Sequence, residues 1–397
     1  MNELFPEPEL YRCAGLRPEN ELLLLCAHRG DGAAAAARAG ALARGRLDWD
    51  YLLRLARRHA LLPLLYTGLE SSARDACPRE YRETLRAQFR ENAARNTLLA
   101  GELLRVARLF ESEGVPLLAY KGPALAVQAY GGLSLRRFVD LDVVVRKEDV
   151  ARAGGLLRSL GFEKPAGLGA AQERFLLRRQ HNLAFTRDAA RLTVELHWEL
   201  SPAPYASVPV GEETWGRAAS VPVLGGEVKA LAPEDLLLAL CVHGTKHLWE
   251  RLAWVCDVAA LVNSQAALDW REVVRRARES RVEPMLYLAL RLARGLLGAR
   301  LPTALVEASG EPPTAGLASE VARSLFREGD YEPAGFAASV GFNLRVRRRL
   351  REKAAYLGYA LTPTDGDLTA VSLPAGMSFL YYLLRPLRLA LKRGEGH

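Results

Sequence analysis

Two aspartates, Asp140 and Asp142, flank Leu141 at the head of an apolar run, Val143-Val144-Val145. Alternation of this kind makes a strand. Its pleat sends both carboxylates to one face, about 6.5 Å apart along the chain, with Leu141 and Val143 on the other. Carboxylates so placed can hold divalent cations, which in two-metal centres lie roughly 3.5–4 Å apart and organise phosphoryl or nucleotidyl transfer. Upstream, Lys121-Gly122-Pro123 closes a second apolar run, 115–120. Gly permits a tight turn and Pro suits a first helical position, so this turn leads into a helix N-terminus whose unpaired N–H groups and dipole attract anions. Lys121 adds a point charge suited to a phosphate.

The elements that must carry these groups are written around them. Residues 115–145 read as strand, glycine turn, helix and second strand. Helical periodicity follows over 147–160, with Gly161 as a C-terminal stop. Residues 181–187 (HNLAFTR) and 191–200 (RLTVELHWEL) then read as an antiparallel pair joined by Asp188-Ala189-Ala190. In the second of these, Leu192, Val194, Leu196 and Trp198 alternate with Thr193, Glu195, His197 and Glu199, so Glu195 and His197 share a polar face. Alternation alone favours a half-exposed hairpin with water on that side.

Most of the remaining chain is helical in pattern. Residues 20–112 repeat apolar positions at three and four, and the chain turns helical again from Ala232 with the start signal Pro233-Glu234-Asp235. His243 and His247 have the spacing of a metal pair, but no Glu follows His243 as a zinc protease needs, so they read as structural histidines. Gly244 is a candidate break. On one continuous helix Lys246, Trp249, Ala253 and Asp257 form a single stripe. There the Lys and the carboxylate face nucleotide or acceptor, or pair with each other beside a core Trp. Arg57, Arg58 and His59 read as a solvated basic face. The last stretch, 377–397, mixes aromatics, leucines and basic groups. Pro386 interrupts it, so docking onto the helical domain is favoured over a membrane-surface helix.

Several separated pieces together resemble the nucleotidyltransferase superfamily related to DNA polymerase beta, and within it the bacterial family labelled uncharacterised nucleotidyltransferase. They are Lys121-Gly122-Pro123-Ala124-Leu125, Tyr130-Gly131, Arg136 ahead of Asp140-Leu141-Asp142, Val194-Glu195-Leu196-His197-Trp198, and His243-Gly244-Thr245-Lys246-His247-Leu248-Trp249 with Asp257 behind. The resemblance implies an α+β, predominantly helical fold: a small mixed nucleotidyltransferase sheet with helices, flanked by helical regions. Its expected division is an N-terminal helical region over 1–112, the core over 113–225, a C-terminal helical domain over 226–345 and a basic amphipathic tail over 346–397. It turns the polar face of the second hairpin strand towards Asp140 and Asp142, with Glu195 as third carboxylate. His197 then orients a carboxylate or touches substrate.

The implied activity is metal-dependent transfer of an NMP from an NTP, ATP first among them, to an acceptor, with release of pyrophosphate. Asp140, Asp142 and Glu195 are the implied catalytic and metal-binding residues, for two Mg²⁺ or Mn²⁺ ions. Lys121, Gly122, Arg136, Lys246 and Asp257 are the implied nucleotide-binding residues, Arg136 against charge on the leaving pyrophosphate. Small molecule, peptide, protein and RNA end all remain open as acceptor. The superfamily often has Gly-Ser at the turn where this chain has Gly122-Pro123, so a hydroxyl contact to phosphate is missing. That departure motivates the alternative, a catalytically weak nucleotide-binding or partner-assembly protein.

Composition sets the frame. With 397 residues, 49% hydrophobic and 25% charged, the chain has an ordinary globular balance and room for a substantial core. Net charge of +8 suits a polyanionic partner, but the basic residues are spread through amphipathic segments and no continuous basic, aromatic-lined track for RNA appears. Five cysteines without Cys-x-x-Cys spacing signal neither a disulfide framework nor a zinc site, and a reducing cytoplasm is the expected compartment. No run of eighteen apolar residues predicts a membrane span, and 1–13 lack an apolar signal core.

Overall fold

Six strands form one mixed sheet in the order β3-β4-β2-β1-β6-β5 in a computed structural model of the chain, which describes residues 10, 17–28, 33–164, 180–187, 192–206, 208–329 and 334–362. The strands are β1 (Leu117–Ala119), β2 (Leu141–Val145), β3 (Asn182–Arg187), β4 (Leu192–His197), β5 (Ala219–Val223) and β6 (Gly226–Ala230). β2 runs antiparallel to β1 and parallel to β4, β1 runs parallel to β6, and β3/β4 and β5/β6 are antiparallel. The expected α+β, predominantly helical architecture is what the chain adopts. The antiparallel reading of β3 and β4 holds, while their connection Asp188-Ala189-Ala190 lies outside the described residues, as do Cys13 and the 377–397 stretch.

The helices in chain order are α1 (Pro18–Ala27), α2 (Ala33–Ala43), α3 (Trp49–Arg58), α4 (Leu62–Ser72), α5 (Arg79–Ser112), α6 (Gly122–Tyr130), α7 (Val150–Ser159), α8 (Glu212–Gly216), α9 (Pro233–Lys246) and α10 (Leu252–Ser264). They continue with α11 (Trp270–Glu279), α12 (Glu283–Leu297), α13 (Thr303–Ser309), α14 (Pro312–Leu325), α15 (Phe336–Val346) and α16 (Leu350–Ala360). No described helix is long and apolar enough to cross a membrane.

Two apolar cores divide the faces of the sheet. Leu117, Ala119, Leu141, Val143, Val145, Val194 and Leu196 pack with Leu99, Leu103, Val106 and Phe110 of α5 and with Ala153 and Leu157 of α7. The other parity, Leu118, Tyr120 and Val144, joins the larger core that runs from α1–α4 through α9, α10 and α12 to α16. Asp142, Glu195 and His197 share that second parity, so their face is turned to the helical core, which seals Asp142 and His197 and leaves Glu195 partly exposed. Burial of this core supplies most of the driving force, at about 25 cal/mol per Å² of apolar surface removed from water.

Two helical expectations are corrected. Gly244 is no break, because α9 continues to Lys246. The chain breaks after it, where Leu248 and Trp249 adopt left-handed φ of 56° and 55°. Trp249 thereby folds back, its N–H donating to the Gly244 carbonyl at 2.8 Å, and a Cβ on Gly244 would stand 2.5 Å from the indole. Glycine is required there by that close approach. Lys246 and Asp257 consequently sit on different helices and form neither a continuous stripe nor an ion pair. The second correction concerns His59, which is fully buried and not on a solvated face.

Candidate active site

The parallel pairing of β2 with β4 sets Asp142 beside Glu195 and Val144 beside His197. β1 on the other flank delivers Lys121: the Tyr120 N–H donates to the Asp142 carbonyl at 3.2 Å, and the chain then turns into α6. Gly122 makes that turn with φ of 53°, and a side chain there would stand 3.2 Å from the Asp140 carbonyl oxygen. The glycine turn therefore presses directly against the strand that carries the aspartates.

A dense polar group results. Lys121 Nζ donates to Asp142 Oδ1 at 3.1 Å, and His197 Nε2 lies 3.2 Å from the same oxygen and 3.3 Å from Glu195 Oε2. Asn182 on β3 donates to Glu195 Oε2 at 2.9 Å. Ligand atoms of Asp142, Glu195 and His197 all lie within 4.8 Å of one another. Asp142 is sealed, 4% exposed, whereas the Glu195 side chain is 31% exposed and can meet a substrate. Asp140 stands one residue before β2 and is half-buried. The Tyr120 and His197 rings meet nearly perpendicular, with centroids 5.2 Å apart, and His181 lies 5.7 Å from the same imidazole.

Charge is distributed unevenly over these groups. Burial alone would raise Asp142, but the adjacent Lys121 ammonium and the hydrogen bond from His197 hold it well below the usual carboxylate range. Glu195 is lowered by its hydrogen bond to His197, against its own burial. Burial and the neighbouring Asp142 charge push Asp140 up to about 6. Burial would lower His197, yet its bonds to Asp142 and Glu195 raise it. Burial and the Lys121 charge bring Lys246 down to about 8, and Lys246 makes no hydrogen bond or ion pair among the described residues.

Arg136 and Asp257 meet away from the strands. Arg136 Nε and Nη2 donate to the two Asp257 oxygens at 2.8 and 2.9 Å, and Tyr130 Oη donates to Oδ1 at 2.8 Å. The expected partner of Asp257 was Lys246, nucleotide or acceptor; the observed one is Arg136. Sequence reasoning missed the groups that hold the Arg136 loop. Asn96 Nδ2 donates to the Leu133 and Arg136 carbonyls at 2.6 and 2.7 Å, and Asn92 Nδ2 to the Ser134 and Arg136 carbonyls at 3.0 and 3.3 Å. Two asparagines one turn apart in the middle of a long helix are a readable signal, since Asn is a poor helix former without a tertiary task.

The donor set fits a divalent cation. Hard carboxylate oxygens suit Mg²⁺ or Mn²⁺, and His197 fastens both Asp142 and Glu195 in place while its own Nδ1, buried, lacks a hydrogen-bond partner. The Lys121 ammonium pairs with Asp142, and the Lys246 ammonium interacts electrostatically with Glu195.

No curated protein matches the chain. Among solved structures it is similar to the antibiotic-resistance factor ANT(2'')-Ia, at 12% identity and a TM-score of 0.33 over 49% of this chain and 96% of that one. It is similar also to an antigenic nucleotidyltransferase-like protein from Paracoccidioides brasiliensis, at 14% identity and a TM-score of 0.30 over 54% of this chain and 96% of that one. The sequence profile of the uncharacterised nucleotidyltransferases matches residues 45–298, which take in the sheet, the acidic group and the Arg136–Asp257 pair, and the chain belongs to that family.

Proposed function

We propose that this nucleotidyltransferase is metal-dependent and moves an NMP from an NTP to an acceptor. The observation that carries the reading is the register that sets Asp142 against Glu195 with Lys121 Nζ 3.1 Å from Asp142. Asp140, Asp142 and Glu195 would hold Mg²⁺ or Mn²⁺, and a divalent cation bound there supplies charge neutralisation of the phosphates. Glu195, the more accessible carboxylate, takes the proton from the acceptor nucleophile, whose lone pair forms the new bond to the α-phosphorus. The bond from that phosphorus to the bridging oxygen breaks with its electron pair, which leaves on pyrophosphate. Lys121, Lys246 and the N-terminus of α6 at Gly122 receive the triphosphate, with Lys246 free to do so without breaking a bond. Arg136 and Asp257 are proposed to serve nucleotide binding by position, their bidentate pair fixing the loop that leads into Asp140. ATP is the first nucleotide to try, and a small molecule, peptide, protein or RNA end all satisfy this chemistry as acceptor. The four described cysteines are buried free thiols, which suits a cytoplasmic site of action.

Incubation with each α-labelled NTP, Mg²⁺ or Mn²⁺ and lysate tests the reading. Label should pass to an acceptor only with metal, and should not pass with the Asp140→Asn/Asp142→Asn variant. Transfer that survives without metal would sink it. A second reading, a nucleotide-binding protein of little turnover, is favoured by Lys121, whose ammonium is committed to Asp142. Metal-dependent NTP binding without any transfer would select that one.

A further inference from the structure

Arg136 and Asp257 also line a separate cavity of about 60 Å³, with Tyr130, Arg137, Arg251 and Trp254 as its other polar or aromatic walls. At roughly 10–15 Å³ for one water-sized probe, that space accommodates one tetrahedral oxyanion. Its charge is one-sided. Three guanidiniums face one carboxylate, and Asp257 is already spent on Arg136 and the Tyr130 hydroxyl. Arg137 and Arg251 are exposed, and their guanidiniums make no hydrogen bond or ion pair among the described residues. Arg251 lies 5.9 Å over the Trp254 ring, an apolar wall that steadies the guanidinium without neutralising it. The first turn of α10, Ala253 and Trp254, closes the cavity and adds the positive end of a helix. Neighbouring Glu250 accepts instead from the Ala334 N–H. Planar guanidinium forks match phosphate oxygens two at a time, which an ammonium does not.

We propose that this cavity binds one phosphate group, free or esterified, beside the nucleotidyl-transfer site. Arg136 connects the two, standing four residues before Asp140 on the loop that leads into β2. The proposal rests on the nucleotidyl-transfer reading only for its placement beside the chemistry. If the phosphate belongs to a substrate, the acceptor is a phosphorylated molecule held by that group. If it is free, inorganic phosphate sits next to the site that releases pyrophosphate.

Calorimetric titration of inorganic phosphate into the full-length protein, without nucleotide and again with a non-hydrolysable ATP analogue and Mg²⁺, tests this. Binding is expected in both conditions, and Arg137→Gln with Arg251→Gln should weaken it at least about tenfold. Both side chains are exposed, so thermal unfolding of the variant should track wild type, which separates lost binding from lost fold. A phosphomonoester bound as tightly as phosphate assigns the group to a substrate; phosphate bound alone assigns it to a free anion; either supports the cavity. Absence of phosphate binding, undiminished binding in the double variant, or displacement of phosphate by the nucleotide would overturn the proposal. Failure of the nucleotide to bind would count against the nucleotidyl-transfer reading and leave the first titration intact.

Discussion

Asp142 and Glu195 stand opposite one another on neighbouring parallel strands, bridged by His197 Nε2 at 3.2 and 3.3 Å. The bridge separates two tasks that sequence alone assigns to three equivalent carboxylates. Asp142 is sealed and balanced by Lys121; Glu195 is open and bonded to Asn182. Glu195→Gln keeps shape and hydrogen-bonding capacity, so NTP binding should stay within a few-fold. Transfer should fall by about a hundredfold or more, the usual range for a lost general base. Calorimetric NTP binding paired with labelled-nucleotide transfer checks both, and transfer at the wild-type rate would remove Glu195 from the chemistry.

What the sequence made legible is what is local. The run from strand through Lys121-Gly122-Pro123 to Asp140 and Asp142 is read correctly because a glycine turn and a period of two act within a few residues. The same period identified the polar side of β4, but which body covers that side is a tertiary fact: Glu195 and His197 lie on the face packed by helices from both before and after the sheet in the chain. Arg136 and Asp257 are 121 positions apart, and neither spacing nor charge pattern joins them. The break between α9 and α10 was misplaced for a related reason. It is made by Leu248 and Trp249 at positive φ, residues that carry no turn signal, and it is held by packing of the indole on Gly244.

Removal of Asp257 should reveal how much of its work is structural. Asp257 is 2% exposed and the Arg136 side chain 13%, so Asp257→Asn strands a guanidinium in a poorly solvated place. A loss of about 3–5 kcal/mol is expected, with much of it recovered in Arg136→Met/Asp257→Leu. Urea unfolding of wild type, Arg136→Met, Asp257→Leu and the double variant reads the coupling. Additive losses would mean that the pair is incidental to stability.

The asparagines of α5 predict a graded effect on the loop they hold. Asn96 is fully buried and bonds two carbonyls at short distance, while Asn92 bonds two at longer distance from a less buried position. Asn96→Ala should cost about 1–3 kcal/mol, since the Leu133 and Arg136 carbonyls lose their partner, and Asn92→Ala should cost less. Trypsin cleavage after Arg136 and Arg137 should accelerate in the same order. Equal cleavage in all three proteins would show that other contacts fix the loop.

His59 predicts a pH dependence that can be isolated from the active site. Its Nε2–H donates to the Leu325 carbonyl at 2.9 Å, and its Nδ1 accepts the Leu252 N–H at 3.1 Å, so one neutral ring joins the end of α3 to the end of α14 and the start of α10. A proton on Nδ1 would break the second bond. Burial, and then the Arg58 charge, push the imidazole down to about 3. In the unfolded chain a histidine titrates near 6.5, so between those values the unfolded state binds the extra proton. Stability from this group is therefore complete above about pH 6.5 and declines as pH falls towards 3, by about 2 kcal/mol between pH 7 and 5. Other histidines, His243 and His247 among them, are lowered in the same sense, so the wild-type slope alone does not isolate His59. The comparison with His59→Gln does. The variant should be less stable at pH 7, yet lose about 2 kcal/mol less than wild type on going to pH 5. Urea unfolding at the two pH values measures the difference, and an identical drop in both proteins would mean that His59 titrates alike folded and unfolded.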